Sequence, residues 1–425
     1  MNDQQISLID LHAQINHHLT HGIIPFWLDR SVDHEYGGYY TNFNEQGLRL
    51  PMPEKYLNTQ MRMVWWFSRL AREYPTQPVY AQLASKGVDF MLQHFWDTAF
   101  DGWYWKTRRD GSDPDQGKVV YGQSFAIYAL SEYTLGTGDL RGLEYARKTF
   151  DLLQKFCVDT RWGGYYENLE RDWKISAPGF TGGDRKSLDT HMHLMEAFTN
   201  LYTASQEEIH RRKLLEIVDL IANRMVDAEN RCGLNQFDAS FKPIPAIAIR
   251  RTFNAERIGE SPEKPTETTS FGHNVELVWL MRLALDTADV SREPYQATMR
   301  ALLDHAVQEG VDWDLGGIYR DGARGGQAIV LEKEFWQNAE SLVGFLDGYE
   351  QFGDPKYLQA FVKIWQFAKD FMIVDGVGEW RMLVDKHGKP IVTDLANEWK
   401  VAYHTGRAML ECNKRLVQLI ASAEK

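Results

Sequence analysis

Arg62, His191, His193, His273 and His404 each stand near the start of an apolar helical run, and together they could move protons. Imidazole is the side chain whose ordinary proton affinity lies nearest neutral pH, so a group of histidines suits general acid and base work. His273 lies in Gly272-His273-Asn274-Val275-Glu276, and Glu276, three residues on, shares its helical face. A carboxylate so placed can fix the imidazole tautomer and raise its basicity. His404 lies in Tyr403-His404-Thr405-Gly406-Arg407, with Arg407 in the same relation to it. Arg62 ends the corresponding stretch of the first such start.

Other chemistries lack their residues. His191-Met192-His193 is an H-x-H pair, but on a helix its rings diverge by about 200°. There is no H-E-x-x-H, Cys157, Cys232 and Cys412 stand far from one another, and none sits beside the histidines, so no metal is expected. The glycine patterns of dinucleotide and nucleotide-phosphate loops are absent, as is the G-x-S-x-G elbow of hydrolases. The expectation is acid–base chemistry without a cofactor.

The elements that must position these residues recur along the chain. A glycine turn flanked by aromatic or apolar residues appears at Tyr36-Gly37-Gly38-Tyr39-Tyr40, Asp101-Gly102-Trp103-Tyr104 and Trp162-Gly163-Gly164-Tyr165-Tyr166. It returns at Cys232-Gly233-Leu234, Leu315-Gly316-Gly317-Ile318 and Val377-Gly378-Glu379-Trp380. Such turns read as short hairpins. Each is followed by a helix start, beginning at Lys55, Lys118, Lys186, Thr268, Lys333 and Lys400. The five lysines read as surface side chains lying along the helix starts. Behind each start runs a helix apolar on most sides, hence buried, and between these runs lie amphipathic helices such as 144–155 and 357–371. Six buried and six amphipathic helices describe an all-α (α/α)6 barrel, with the hairpins at one end and residues 1–425 as a single domain. An open solenoid of helix pairs is the alternative. In a closed ring all six inner helices start at one end, so their polar residues face one funnel.

Composition narrows the partners. The 14 Trp, 19 Tyr and 21 Phe suit both a large core and the apolar faces of sugar rings. A net charge of −12 disfavours nucleic acid. Three scattered cysteines, no leader-like N-terminus and no long apolar run point to a cytoplasmic protein away from the membrane. The chain reads as monomer or homodimer, without a choice between them.

With the starts in hand, the chain resembles the N-acylglucosamine 2-epimerase superfamily, and within it the cellobiose and mannose 2-epimerase branch. The segments that carry the likeness are Gln60-Met61-Arg62 with Trp65 to Ser68, Tyr121-Gly122-Gln123 through Tyr128, and Thr190-His191-Met192-His193. They continue in Gly272-His273 to Glu276, Trp336 to Glu340, and Trp399 to His404. The resemblance implies that His273 and His404 are the catalytic acid/base pair and that His193 assists ring opening. It implies that Arg62 binds the C1–C2 oxygens, that Glu276 supports His273, and that Trp336 and Trp399 pack on the sugar. Tyr121, Asp189 and His191 join them as substrate-binding residues. Asp189 and Asn274 stand where cellobiose epimerases are expected to carry Asn and Asp.

The reaction so implied is inversion at C2 of a reducing aldose through a cis-enediolate, with two bases on opposite faces of one carbon. The long connection 241–269, with Arg250, Arg251, Arg257 and Pro262, reads as a lid over the funnel. A longer loop there resembles mannose 2-epimerases, so mannose and glucose lead over cellobiose. Aldose–ketose isomerisation shares the enediolate and stays open. A glycoside hydrolase using Glu276 and Glu340, or a barrel that only binds a partner, are the other readings.

Overall fold

The computed structural model describes residues 7–251 and 267–423. Its helices follow the expected alternation. The first outer helix is α1 (Leu8–His18) and α2 (Ile24–Arg30), joined by a π-helical turn. Then come inner α3 (Leu57–Glu73), outer α4 (Pro78–His94), inner α5 (Val120–Thr137), outer α6 (Leu140–Phe156), inner α7 (Leu188–Ser205) and outer α8 (Glu208–Leu220). Inner α9 (Phe271–Thr287), outer α10 (Glu293–His305), inner α11 (Phe335–Phe352), outer α12 (Pro355–Phe367) and inner α13 (Ala402–Ala423) complete the set. Residues 120–133 of α5 are buried without a break, whereas α6 buries only one stripe, including Leu143, Ala146, Phe150 and Leu153. Each inner helix packs on the next, and α13 returns to α3 and α1. The ring is therefore closed, an (α/α)6 barrel and not a solenoid. No helix among the described residues is long and apolar enough to cross a membrane.

The six glycine turns form six equivalent hairpins, closed by pairs such as Val32 with Tyr39, Trp96 with Trp103, and Val226 with Gly233. Five short strands that lead into inner helices pair with a strand of the next unit, as 54–56 does with 106–108 and 118–119 with 168–169. Phe43 pairs with Ala396 across the remaining junction. All six starts are thereby fixed at one end of the ring.

The lysines are not at the surface, contrary to expectation. Lys55, Lys118, Lys186, Lys333 and Lys400 are at most 1 % exposed. They pair with Asp33 (2.9 Å), Asp97 (3.1 Å), Asp159 (2.7 Å), Asp312 (2.7 Å) and Glu379 (3.2 Å) of the preceding hairpins. A buried ammonium needs a counter-charge and oxygen acceptors. Lys186 has both, taking the Gly163 carbonyl at 2.7 Å besides its aspartate.

Counting from the lysine as position one, position six grips the hairpin backbone. Gln60 accepts from the Tyr39 N–H (2.8 Å) and donates to its carbonyl (2.9 Å); Gln123 does the same to Trp103 (3.1 and 2.7 Å). His191, Asn274 and Asn338 accept from the N–H groups of Tyr165 (3.1 Å), Gly233 (2.9 Å) and Ile318 (3.0 Å). Thr405 works through Glu379, which takes the Trp380 N–H. The approach is close enough to require glycine in the turn. A Cβ on Gly38 would lie 2.8 Å from the Gln60 oxygen, and one on Gly164 2.7 Å from His191 Nε2, each at positive φ. The clamp also corrects the fourth unit, whose position one is Thr269, not Thr268, because Asn274 holds the clamp.

Of the connection 241–269, residues 252–266 lie outside the described residues, Arg257 and Pro262 among them. Its first part reaches the two preceding units, where Arg251 pairs with Asp115 at 2.8 Å and the Arg250 N–H donates to Phe180 O at 2.9 Å. Its end, 268–270, is a strand paired with 321–323.

Candidate active site

Two residues beyond the clamp, position eight is Arg62, Phe125, His193, Glu276, Glu340 and Arg407, all nearly inaccessible. These side chains meet around the barrel axis. The Arg62 guanidinium lies over Phe125 (4.3 Å to the ring centre), and Phe125 lies 4.8 Å from His193, centroid to centroid. Arg407 contacts Glu276 (2.5 Å), Glu340 (2.7 Å) and, more closely still, Glu196. Above this layer opens a cavity of about 200 Å³. Eight of the residues singled out in the sequence line it: Arg62, Tyr121, Asp189, His193, His273, Trp336, Trp399 and His404.

Local structure explains their placement. Ser270 caps α9 by accepting from the His273 N–H at 3.3 Å, so His273 falls in the first turn and faces the cavity mouth. Ser187 caps α7 in the same way through Thr190, placing Asp189 at the rim and His193 one turn deeper. His273 and His404, from α9 and α13, both lie against the Trp336 indole, at 4.5 and 5.7 Å between centroids. Asp189 reaches His193 Nε2 at 3.2 Å and His273 Nε2 at 3.5 Å.

The electrostatics give these groups different roles. Burial opposes charge on His193, but Asp189 and Glu196 (2.9 Å from Nδ1) outweigh it and push the imidazole up to about 9, so it is cationic at neutral pH. His404 is driven the other way. Burial, then the Arg62 and Arg407 charges, hold it well below the ordinary histidine range, so it is a neutral base. Its Nδ1 meets Glu340 Oε1 at 2.8 Å. Burial pushes Glu340 up to about 8 against the pull of Arg407, and raises Glu276 as well. Burial would raise Glu196 too, yet Arg407 and His193 hold it below the usual carboxylate range. Arg62 donates to the Trp399 carbonyl (2.9 Å) and the Tyr121 hydroxyl (2.8 Å). Among the described residues it meets no carboxylate, and its charge is left for whatever enters the cavity.

Two expected site residues stand elsewhere. His191 is fully buried in its clamp, its Nδ1 at Ser187 O (2.9 Å), and does not line the cavity. Glu276 lies below the cavity, paired with Arg407. The three groups that could share a metal, Glu276, Glu340 and His404, have the Arg407 guanidinium bound to both carboxylates. That placement also removes Glu276 and Glu340 as the facing carboxylates of a hydrolase. The sequence reading missed Arg320 and Glu334, which line the cavity wall, Arg320 from just before the strand 321–323 and Glu334 from the strand 333–334 that leads into α11.

A family model described as N-acylglucosamine 2-epimerase matches residues 38–408, and the chain belongs to that family of carbohydrate isomerases. A cellobiose 2-epimerase of Bacteroides fragilis is 29 % identical over 411 residues, covering 94 % of this chain and 98 % of that protein. The solved structure of a cellobiose 2-epimerase from Spirochaeta thermophila, 26 % identical, superposes with a TM-score of 0.85 over 99 % of this chain and 100 % of that one. A D-mannose isomerase of Marinomonas mediterranea is 25 % identical, covering 92 % and 95 %.

Proposed function

We propose that the protein inverts C2 of a reducing aldose, with His273 and His404 as the two bases and His193 as the acid at the ring oxygen. The observation that carries this is the placement of both imidazoles on one cavity, against one indole, beside an arginine without a carboxylate partner among the described residues. The C2 proton of an aldose becomes acidic only when C1 is a free carbonyl. Cationic His193 gives a proton to the ring oxygen as the C1–O5 bond breaks, and the imidazole so freed takes the O1 hydroxyl proton, leaving the open-chain aldehyde. A neutral imidazole on one face then takes the C2 proton, and the electron pair moves into a cis-enediolate whose oxygens face Arg62. The other imidazole, already protonated, returns a proton to C2 from the opposite face. No electron leaves the sugar, so the step needs no redox partner.

D-Mannose and D-glucose are the proposed pair. A cavity of about 200 Å³ suits one sugar ring, below the roughly 300–1,000 Å³ of clefts for drug-sized ligands. The cellobiose 2-epimerase relatives favour the reducing glucose of cellobiose as a second reading. Incubation with mannose and with cellobiose in D2O, followed by NMR, decides. Deuterium at C2 together with the 2-epimer is the expected result. Fructose as main product makes the protein an isomerase, and no exchange at C2 ends the proposal.

A further inference from the structure

Arg320 and Glu334 are charged groups with unspent hydrogen-bonding capacity in the wall of the cavity. Arg320 is 7 % exposed, and its backbone is pinned on both sides: its N–H donates to Val330 O (3.1 Å) and its carbonyl accepts from Gln337 Nε2 (2.9 Å). The point from which its side chain leaves the backbone is thus fixed. The guanidinium lies near Asp321 (3.4 Å) and Glu334 (3.7 Å), beyond hydrogen-bonding reach of Glu334, and its buried Nε makes no hydrogen bond. Glu334 Oε2 is likewise buried without a hydrogen bond. Leaving a buried charged donor and acceptor unmade costs more than an ordinary hydrogen bond returns, so such a pair calls for a ligand.

A hydroxyl answers both, since it accepts from the guanidinium and donates to the carboxylate. A phosphate or carboxylate does not, because Asp321 and Glu334 already cancel the Arg320 charge. The geometry points to Arg320 and Glu334 as a specificity clamp that reads a hydroxyl of a neutral sugar, on the part of the chain away from C1 and C2. The clamp rests on the 2-epimerase reading for its substrate class and deepens it. The reacting end is committed to Arg62 and the histidines. Glu334 and Trp336 flank Phe335 at the α11 start, so a sugar on the indole brings its distal hydroxyls past the pair.

Interactions equal in ground and transition states alter KM, not kcat. The test is a cycle between protein and ligand, with Arg320→Met and Glu334→Gln against 3-deoxy-, 4-deoxy- and 6-deoxymannose. The clamp predicts that each variant raises KM for mannose about tenfold with kcat little changed. It also predicts that one deoxy sugar shows the same loss with wild type and no further loss with either variant. Thermal unfolding near the wild-type temperature verifies that the variants fold. Equal losses from every deoxy sugar in wild type and variants, or a fall in kcat at constant KM, overturns the clamp. If wild type exchanges no C2 proton of any aldose, the epimerase reading fails. Calorimetric titration of the same sugars then judges the clamp, and equal binding by wild type and variants overturns it.

Discussion

Positions six and eight of the inner-helix starts lie half a turn apart on the same six helices, and they differ in kind. Position six holds Gln60, Gln123, His191, Asn274, Asn338 and Thr405, six short polar groups that serve one hairpin-clamping task. Position eight holds Arg62, Phe125, His193, Glu276, Glu340 and Arg407, which have no common task. A scaffold repeats because each unit faces the same geometric demand. A site cannot repeat, because a substrate has no six-fold symmetry. Sameness across the units therefore marks structure, and divergence within a repeated frame marks chemistry. The same contrast separates the buried charges: five Lys–carboxylate pairs recur behind the hairpins, while Arg407 with its three glutamates occurs once.

The largest effect should come from Arg407→Met, which strands three buried carboxylates. Removing one partner from a buried ion cluster costs about 3–5 kcal/mol, so denaturant unfolding should show that loss. A near-normal midpoint would mean that the cluster is not the floor of the site. Next is Gln123→Ala, which leaves the N–H and carbonyl of Trp103 unmet at about 1–3 kcal/mol each. Stability should drop while the pH profile of kcat/KM keeps its shape; a displaced profile would erase the distinction between the two layers.

Proton affinities sharpen it further. His193 is raised from 6.5 to about 9 by its carboxylates, so its contribution to stability is complete below pH 6.5 and is lost as pH rises through about 9. Activity should fall along the same limb, and Asp189→Asn should shift that limb to lower pH. His404 is depressed, so its contribution holds above pH 6.5 and fades as pH falls. Loss of activity above pH 9 that Asp189→Asn leaves in place would contradict this assignment. The smallest effect belongs to His191→Gln, which gives the third unit the clamp of the first two. It should leave kcat unchanged, and a large loss would return His191 to the active site.

Much of this was legible in the sequence because glycine turns and apolar runs are local features. The closed ring followed from six turns and six starts; Arg62, His193, His273 and His404 line the cavity from their places in those starts, and Tyr121, Asp189, Trp336 and Trp399 were reached through the family resemblance. The lysines were misjudged because a lysine at a helix start is ordinarily solvated. Their partners Asp33, Asp97, Asp159 and Asp312 lie 21 to 27 residues upstream. An aspartate before each of four turns and a lysine after it was the available signal. The fourth unit has no lysine to set its register, so the count began one residue early. His191 shares its residue type with the site but its position with the clamp, and position decides. Arg320 and Glu334 precede the start motif's helical positions, where no spacing distinguishes a cavity wall from a surface strand.

The most direct test of the central claim uses His273→Asn and His404→Asn with each pure 2-epimer in D2O. Two bases on opposite faces of C2 predict a crossed pattern: neither variant inverts the sugar, and each still exchanges the C2 proton of one epimer, a different epimer for each variant. If both variants lose exchange of both epimers alike, or if either still inverts C2, the two imidazoles do not flank one carbon.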